Sequence, residues 1–278
     1  MNRGDYLLFG TGGVPKSSSP QSTPAGIERV AELGLGCMEV ELVHGVNITE
    51  KMAIEVGKLA ERLNVKLTAH APYFINLNAH EPKKVADSQR RLMQAARIAS
   101  LMRAESVIFH PAYYLNDAPD EVYARVTKVL KETVNNIRDE GVNILLRSET
   151  TGKASQFGSL EETLNLCVDV DGLAPCIDFA HLHARTGESN SYGEFIYILN
   201  RIATRLGWHA LENLHVHVSG IEYTFKGEVS HLNLKDSDLR YVDLLKAIKD
   251  LDVKGRIICE SPNLEQDALL MRDIYKAL

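Results

Sequence analysis

The stretch SVIFHPAYYLNDAPDEVYARVTKVLKETVNNIRDEGVNILLRSE, residues 106–149, contains a complete strand–helix–strand unit. Its two ends, Ser106–His110 and Asn143–Glu149, are short runs rich in β-branched and aliphatic residues, which is typical of buried strands. Between them, from Glu121 to Ile137, apolar residues recur at spacings of three and four, the period of an amphipathic helix. These residues are Val122, Val126, Val129, Leu130 and Val134. The stretch therefore predicts two parallel strands joined by a helix.

The same alternation extends over the whole chain of 278 residues. Another amphipathic helix is predicted over Thr49–Leu63. Thr23 is predicted as the N-cap of the first helix, with Pro24 at its first position and Gly34 just past its end. The other predicted strands are Tyr6–Gly10, Cys37–Leu42, Lys66–His70, Ala174–Asp178, Asn213–His217 and Arg256–Glu260.

Eight strand-then-helix units follow one another without a linker. This order predicts an α/β fold, a (β/α)8 TIM barrel that forms a single domain over residues 1–278. The pattern alone also allows an open, doubly wound sheet.

Composition favours an intracellular protein without a membrane partner. Hydrophobic residues make up 45% of the chain and charged residues 24%, and no apolar run approaches the roughly eighteen residues of a membrane span. The start, MNRGD, lacks the basic and apolar segments of a signal peptide. The 4 cysteines include no Cys-x-x-Cys pair, which is typical of buried thiols in a reducing cytoplasm. We therefore expect a cytoplasmic protein, and a monomer.

The net charge of −6 argues against nonspecific binding of nucleic acid. Proteins that bind nucleic acid usually present a basic face. A carboxylate-rich metal pocket would also make the chain acidic, and its bound cations would reverse the local field. The charge therefore disfavours a DNA partner without excluding one.

Metal-binding side chains stand at the carboxyl ends of six successive predicted strands, the third to the eighth. In a barrel these ends converge on one face, where active sites are built. Close carboxylates and imidazoles need cations to offset their repulsion and desolvation. The residues are His70, His110, Glu149, Asp178, His217 and Glu260, with His181 three positions after Asp178. Their placement predicts a metal site with more than one ion.

Imidazole nitrogens and carboxylate oxygens, without thiolates, favour zinc or manganese over magnesium. Glu149 stands in the middle of the set and can bridge two cations. Such a pair activates a water molecule and holds the attacking and leaving oxygens of a phosphate, so no Ser or Cys nucleophile is required. Cys259 is expected to point away from Glu260 and to serve packing. Cys176 stands two residues before Asp178, so its side chain is expected on the same side of the strand and one layer deeper in the barrel.

Segments along nearly the whole chain resemble the endonuclease IV family, which cleaves DNA at abasic sites. They are HAPYFINL (70–77), VIFHP (107–111), SETTG (148–152), CIDFAH (176–181), HVSG (217–220) and ICESP (258–262). The spacing Asp178-x-x-His181 is rather specific, and the ordered set is much more so. The resemblance implies a (β/α)8 barrel with a trinuclear zinc centre. It also implies hydrolysis of the phosphodiester 5′ to an abasic site, with DNA containing abasic sites as the partner.

Carried over residue by residue, the resemblance implies a ligand set for each ion. The sets are His70, His110 and Glu149 for the first ion, Glu149, Asp178, His217 and Glu260 for the second, and His181 and His231 for the third. Glu149 and Glu260 are thereby predicted as the catalytic carboxylates. Tyr73 matches the family's tyrosine that enters the DNA. We expect two or three zinc ions, with manganese as an alternative.

Three features depart from the family pattern. The third-ion site usually carries Asp-x-His, whereas this chain has Val229-Ser230-His231, and valine cannot bind a metal. Glu228, one residue earlier, can replace the aspartate, or a shifted register leaves that site weak or empty. The loop after the second strand, ELVHGVNITE, is short and has no arginine. An Asn-Asp pair usually follows the seventh-strand histidine directly or closely, where this chain has Val218-Ser219-Gly220-Ile221-Glu222-Tyr223.

A sugar isomerase or epimerase of the xylose isomerase-like barrel superfamily is the alternative interpretation. These enzymes use a Glu, Asp, His, Glu set on strands five to eight with a single divalent metal. The matching residues are Glu149, Asp178, His217 and Glu260, and EVEL (39–42) resembles their second strand. The histidines His70, His110, His181 and His231 would then be left over. A non-catalytic protein with a structural or degenerate site is a third interpretation, which the intact ligand set disfavours.

Overall fold

The computed structural model describes residues 7–43 and 45–278 of the chain. Its strands are β1 Leu7–Gly12, β2 Cys37–Glu41, β3 Lys66–His70, β4 Ser106–Phe109, β5 Ala112–Tyr113, β6 Leu145–Glu149, β7 Gln156–Phe157, β8 Leu173–Asp178, β9 Leu214–Val218, β10 Gly220–Thr224, β11 Gly227–Leu232 and β12 Gly255–Cys259. Its helices are α1 Thr23–Glu32, α2 Glu50–Leu63, α3 Pro82–Leu101, α4 Pro119–Asp139, α5 Leu160–Asp169, α6 Phe179–Thr186, α7 Tyr192–Leu206, α8 Tyr241–Asp250 and α9 Glu265–Ala277. Short 3₁₀ helices cover Trp208–Asn213 and Leu234–Asp236.

Eight of these strands form a closed barrel in the order β1, β12, β9, β8, β6, β4, β3, β2. Neighbouring strands run parallel: Leu7 of β1 lies opposite Gly255 of β12, and Cys176 of β8 lies opposite His215 of β9. Parallel neighbours require a crossover, and the helices between successive strands supply it. The closure confirms the predicted (β/α)8 fold and excludes the open sheet.

The eight predicted strands are all found, with ends that differ by one or two residues. The predicted start of the first strand, Tyr6, lies outside the described residues. His110 and Glu260 follow the last paired residues of β4 and β12 instead of ending those strands. Both side chains therefore belong to the loops that leave the barrel, although the N–H of Glu260 still donates a hydrogen bond of 3.0 Å to the carbonyl of Val218 on β9.

The predicted N-cap of α1 was wrong by one residue. Ser22 is the cap, and its Oγ accepts a hydrogen bond from the N–H of Ala25 at 3.4 Å. Ser and Thr cap helices almost equally well, and Pro24 fits anywhere in the first turn, because the donors there have no helical partner. Gly34 lies just past the helix end, as predicted, with a positive φ of 67°.

The sequence analysis did not predict two short antiparallel pairs, β5 with β7 and β10 with β11. The second pair is a hairpin that follows the barrel strand β9, and it carries His231 on β11. Its strands are joined by Phe225-Lys226, followed by Gly227 with a positive φ of 96°. Gly227 is the signal in the sequence that could have revealed the turn, because glycine breaks regular structure and adopts a positive φ without strain.

The chain divides into two compact units, so that the prediction of a single domain stays a prediction. Unit 1 comprises residues 1–38, 152–154 and 176–278, and unit 2 comprises residues 39–151 and 155–175. In unit 1, Phe195, Leu199 and Ile202 of α7 are fully buried. In unit 2, the apolar positions predicted for α4 include Val122 and Leu130, which are also fully buried.

Two further findings concern membrane segments and cysteines. Among residues 7–43 and 45–278, no helix combines the length and the apolar character needed to cross a membrane. Cys37, Cys176 and Cys259 are buried thiols, and Cys167 is a half-buried one.

Candidate metal centre

Unit 2 brings three of the predicted ligands together around one carboxylate oxygen. Oε2 of Glu149 lies 3.0 Å from Nε2 of His70 and 3.1 Å from Nε2 of His110. The three residues come from β3, the end of β4 and β6, which are neighbours in the barrel. Glu149 and His70 are buried, whereas His110 is half-buried.

The second nitrogen of His70 is fixed by the backbone. Nδ1 lies 2.8 Å from the carbonyl oxygen of Ala71. A ring N–H that donates to a carbonyl leaves the other nitrogen free to bind a metal, as in most histidine ligands. The geometry therefore presents Nε2 of His70 to the cluster.

His70 also shows how negative this cluster is. Burial alone lowers the pKa of His70, but the hydrogen bond and charge of Glu149, with the charges of Glu41 and Glu39, raise it to about 10. In the metal-free chain a proton on His70 therefore offsets the carboxylates. A divalent ion would take over this role and displace the proton.

Unit 1 groups Asp178, His181 and His231, each of which offers a ligand atom within 4.8 Å of the others. Asp178 is the N-cap of α6: its Oδ1 accepts a hydrogen bond from the N–H of His181 at 2.7 Å. Its Oδ2 lies 3.3 Å from Nδ1 of the His181 ring. One carboxylate thus starts the helix and orients the imidazole, which explains the Asp-x-x-His spacing.

A second contact in unit 1 joins His217 of β9 to Glu260. Nδ1 of His217 lies 3.3 Å from Oε1 of Glu260, and its Nε2 lies 3.2 Å from Nε2 of His215. On β8, Cys176 is opposite His215 and Asp178 is opposite His217. Cys176 therefore lies one layer deeper than Asp178, at the depth expected from its parity.

The donors in both units fit a divalent metal. Imidazole and carboxylate ligands are those of zinc and manganese sites. Thiol donors were not expected in the site, yet Sγ of Cys176 lies within 4.8 Å of ring nitrogens of His215 and His217. Burial raises the pKa of the Cys259 thiol to about 12, so this side chain stays a protonated packing residue at neutral pH.

An exposed aromatic pair borders the ligands of unit 2. The ring of Tyr73 lies 5.4 Å from that of His70 and 5.9 Å from that of His110, measured between centroids. Tyr73 is 48% exposed and its neighbour Phe74 is 64% exposed. Exposed rings of this kind can stack on a nucleobase.

The carboxylates of β2 also face the site, a role that was not predicted from the sequence. Glu39 is fully buried, and its Oε2 accepts a hydrogen bond of 2.7 Å from Oγ1 of Thr68 on β3. Glu41 is half-buried on the same strand. The signal was present in CMEVE, because two acidic residues at alternate positions of a buried strand need partners inside the barrel.

Comparisons with known proteins give the family. The model of the xylose isomerase-like TIM barrel family matches residues 27–277. An uncharacterized protein of Methanocaldococcus jannaschii is 41% identical over 279 residues, which span 100% of both chains. A probable endonuclease 4 of Mycoplasma genitalium is 24% identical over 77% of this chain and 74% of its own length.

Solved structures agree in fold. Endonuclease IV from Thermus thermophilus matches with a TM-score of 0.72 at 18% identity, over 96% of this chain and 98% of that one. A D-tagatose 3-epimerase-like protein matches with a TM-score of 0.68 at 20% identity, over 96% of both chains. At these identities the likeness concerns the fold alone. The family model, however, covers nearly the whole sequence, and the chain therefore belongs to the family of xylose isomerase-like TIM barrels.

Proposed function

We propose that this chain is a metal-dependent endonuclease that hydrolyses the phosphodiester 5′ to abasic sites in DNA. The observation that carries the proposal is the cluster of His70, His110 and Glu149 in unit 2. This cluster adds the imidazoles of His70 and His110 to the set of Glu149, Asp178, His217 and Glu260. The set of four alone would be enough for an isomerase with one metal. The distant relatives named probable endonuclease 4 support the same interpretation.

The proposed centre holds two or three zinc ions, with manganese as the alternative. The residues that would hold these ions are His70, His110, Glu149, Asp178, His181, His217, His231 and Glu260. Divalent ions held there would supply Lewis acidity and would neutralise the charge that develops on a phosphate.

The protein's own groups would orient the reaction. Asp178 and the carbonyl of Ala71 fix the rings of His181 and His70. Glu260 is the more accessible of the two proposed catalytic carboxylates, with 14% of its side chain exposed against 1% for Glu149. Glu260 is therefore the proposed proton acceptor for the attacking water. Tyr73 would stack on a base beside the abasic site, and the enzyme would act as a cytoplasmic monomer.

A nicking assay tests the proposal. A duplex that contains one tetrahydrofuran abasic analogue, labelled at its 5′ end, is incubated with zinc-loaded protein. We expect cleavage directly 5′ to the analogue, no cleavage of the matched intact duplex, and loss of activity with a chelator. Absence of nicking by protein that holds two or more ions would exclude this function.

One observation favours a sugar isomerase or epimerase as a second candidate. Glu39 and Glu41 place two carboxylates near His70, where their charges would repel a phosphate, and the half-buried Glu41 would accept hydrogen bonds from sugar hydroxyls. Incubation of the manganese-loaded protein with ketohexoses, followed by chromatography of the sugars, tests this candidate. Interconversion of sugars together with intact abasic DNA would favour it over the endonuclease.

A further inference from the structure

We infer that Glu228 binds a metal ion together with His181 and His231, in place of the aspartate that the Val229-Ser230-His231 segment lacks. The inference rests on the proposed metal-dependent function and adds a ligand to its centre. All the residues that carry it belong to unit 1.

The carboxylate of Glu228 faces both imidazoles. Its Oε2 lies 3.6 Å from Nε2 of His181, and its Oε1 lies 3.8 Å from Nε2 of His231. These distances exceed the roughly 2.7–3.2 Å of a hydrogen bond. They are close to the separation of about 3.3 Å between neighbouring ligand atoms around a tetrahedral zinc. Each imidazole thus lies at about a ligand–ligand distance from the carboxylate of Glu228.

Both rings are oriented so that Nε2 points to this position. Nδ1 of His181 lies 3.3 Å from Oδ2 of Asp178, and Nδ1 of His231 lies 3.2 Å from the carbonyl oxygen of Glu260. An oxygen acceptor at Nδ1 selects the tautomer whose Nε2 lone pair is available to a metal. Each ring therefore has an oxygen beside Nδ1, as a hydrogen-bond acceptor in His231 and as an ion-pair partner in His181.

A β-bulge explains why Glu228, and not residue 229, points to the histidines. In the hairpin, Glu222 is opposite Ser230, but the next residue, Tyr223, is opposite Glu228. The pairing skips Val229, whose side chain is 52% exposed. One extra residue reverses the alternation of side chains along a strand. Glu228 is thereby placed on the side of His231, although an even strand would put them on opposite faces.

Gly152 makes room for this carboxylate. A Cβ at Gly152 would lie 2.8 Å from Cβ of Glu228, 2.9 Å from its Oε2 and 3.0 Å from Cδ2 of His181. The N–H of Glu228 also donates a hydrogen bond of 3.0 Å to the carbonyl of Gly152. The hairpin therefore lies so close to position 152 that only a glycine fits there.

Metal counting tests the inference without any substrate. Wild type, Glu228→Gln and the control Glu222→Gln, an exposed carboxylate on the same hairpin, are loaded with zinc, desalted and analysed for zinc per chain. We expect Glu228→Gln to hold one ion fewer, whereas Glu222→Gln matches wild type. Chelator competition should show at least about 100-fold weaker binding of that ion, since loss of even an outer partner costs roughly 10–100-fold.

A second variant keeps the test decisive if Glu228→Gln fails to fold. Gly152→Ala replaces none of the proposed ligand residues but displaces the side chain of Glu228, and circular dichroism reports its folding. We expect weaker binding of the same ion. An unchanged zinc count and unchanged affinity in either folded variant would overturn the inference.

The two proposals fail separately. A lost ion in Glu228→Gln without abasic-site nicking by wild type would keep this inference and remove the function. Nicking by wild type, together with an unchanged ion count in Glu228→Gln, would keep the proposed function and remove this inference.

Discussion

Nε2 of His215 lies 3.2 Å from Nε2 of His217, and both side chains are fully buried. Two ring nitrogens at this distance share one proton as a hydrogen bond. With Nε2 of His217 engaged in this way, its Nδ1 is the nitrogen directed to Glu260, at 3.3 Å. His215 lies one layer deeper in the barrel and therefore sets the orientation of His217, a proposed ligand.

Replacing His215 should weaken metal binding without removing a ligand. We expect His215→Leu to lower zinc affinity roughly 10–100-fold, because His217 loses the partner that fixes its ring. Competition with a chromogenic chelator measures the affinity. His209→Leu, at an exposed histidine on the 3₁₀ helix Trp208–Asn213, is the control and should match wild type. Equal affinities for both variants would show that His215 only packs.

The proposed catalytic carboxylates can be tested by removal of their charge alone. Glu260→Gln keeps the shape of the side chain, and we expect its nicking rate to fall at least about 100-fold, the lower range for loss of a general base. Circular dichroism and thermal unfolding should match wild type, because the side chain is only half-buried. Retained activity in Glu260→Gln would remove this residue from the reaction.

Stability of the metal-free protein should depend on pH through His70. The pKa of His70 rises from 6.5 to about 10 on folding, because the charge of Glu149 and its neighbours outweighs burial. The folded state thus holds the proton more tightly than the unfolded state. This stabilisation is complete below pH 6.5 and is lost as the pH rises toward about 10.

Urea unfolding in the presence of a chelator, at pH 6.5, 8 and 9.5, measures this effect. The free energy of unfolding should fall across this range in wild type, and the fall should be smaller in His70→Gln. His209→Gln, at an exposed site, should retain the slope of wild type. Parallel curves for wild type and His70→Gln would contradict the assignment.

Tyr73 should contribute to affinity for abasic DNA. Stacking of a base on an aromatic ring is worth about 1–3 kcal/mol, so Tyr73→Ala should weaken binding of an abasic duplex by roughly 5–150-fold. Fluorescence anisotropy with calcium in place of the catalytic metal provides the measurement. Tyr197→Ala removes a ring that is 64% exposed on α7 and should have no effect. Similar affinities for the two variants would leave Tyr73 as a rim residue.

Gly10 tests the close packing of β1 against β2. A Cβ at Gly10 would overlap the backbone carbonyl of Cys37, so that Gly10→Ala should destabilise the fold by about 1–3 kcal/mol or more. Gly193 in α7 has open space around its Cα, and Gly193→Ala should be neutral or stabilising by roughly 0.5–1 kcal/mol. Chemical unfolding of the two variants compares them directly.

The sequence by itself determined the strands and helices of the barrel, whereas the closure of the sheet was decided by the tertiary structure. Periods of two and of three to four residues alternate along the chain, and they follow from local burial of strands and helices, which needs no long-range information. The strand-end positions of His70, Glu149 and Asp178 could be read for the same reason. Strand ends differed by one or two residues, because the last backbone hydrogen bonds depend on neighbouring strands.

Only the tertiary structure decided which donors meet and how their nitrogens point. Glu39 and Glu41 come near His70 because β2 and β3 belong to one barrel, which no local pattern encodes. The bulge at Val229 is the clearest case. Read along the chain, valine stands where a ligand is expected, and regular alternation would turn Glu228 away from His231. A single skipped residue in the hairpin pairing reverses that alternation, and pairing is a property of two strands, not of one.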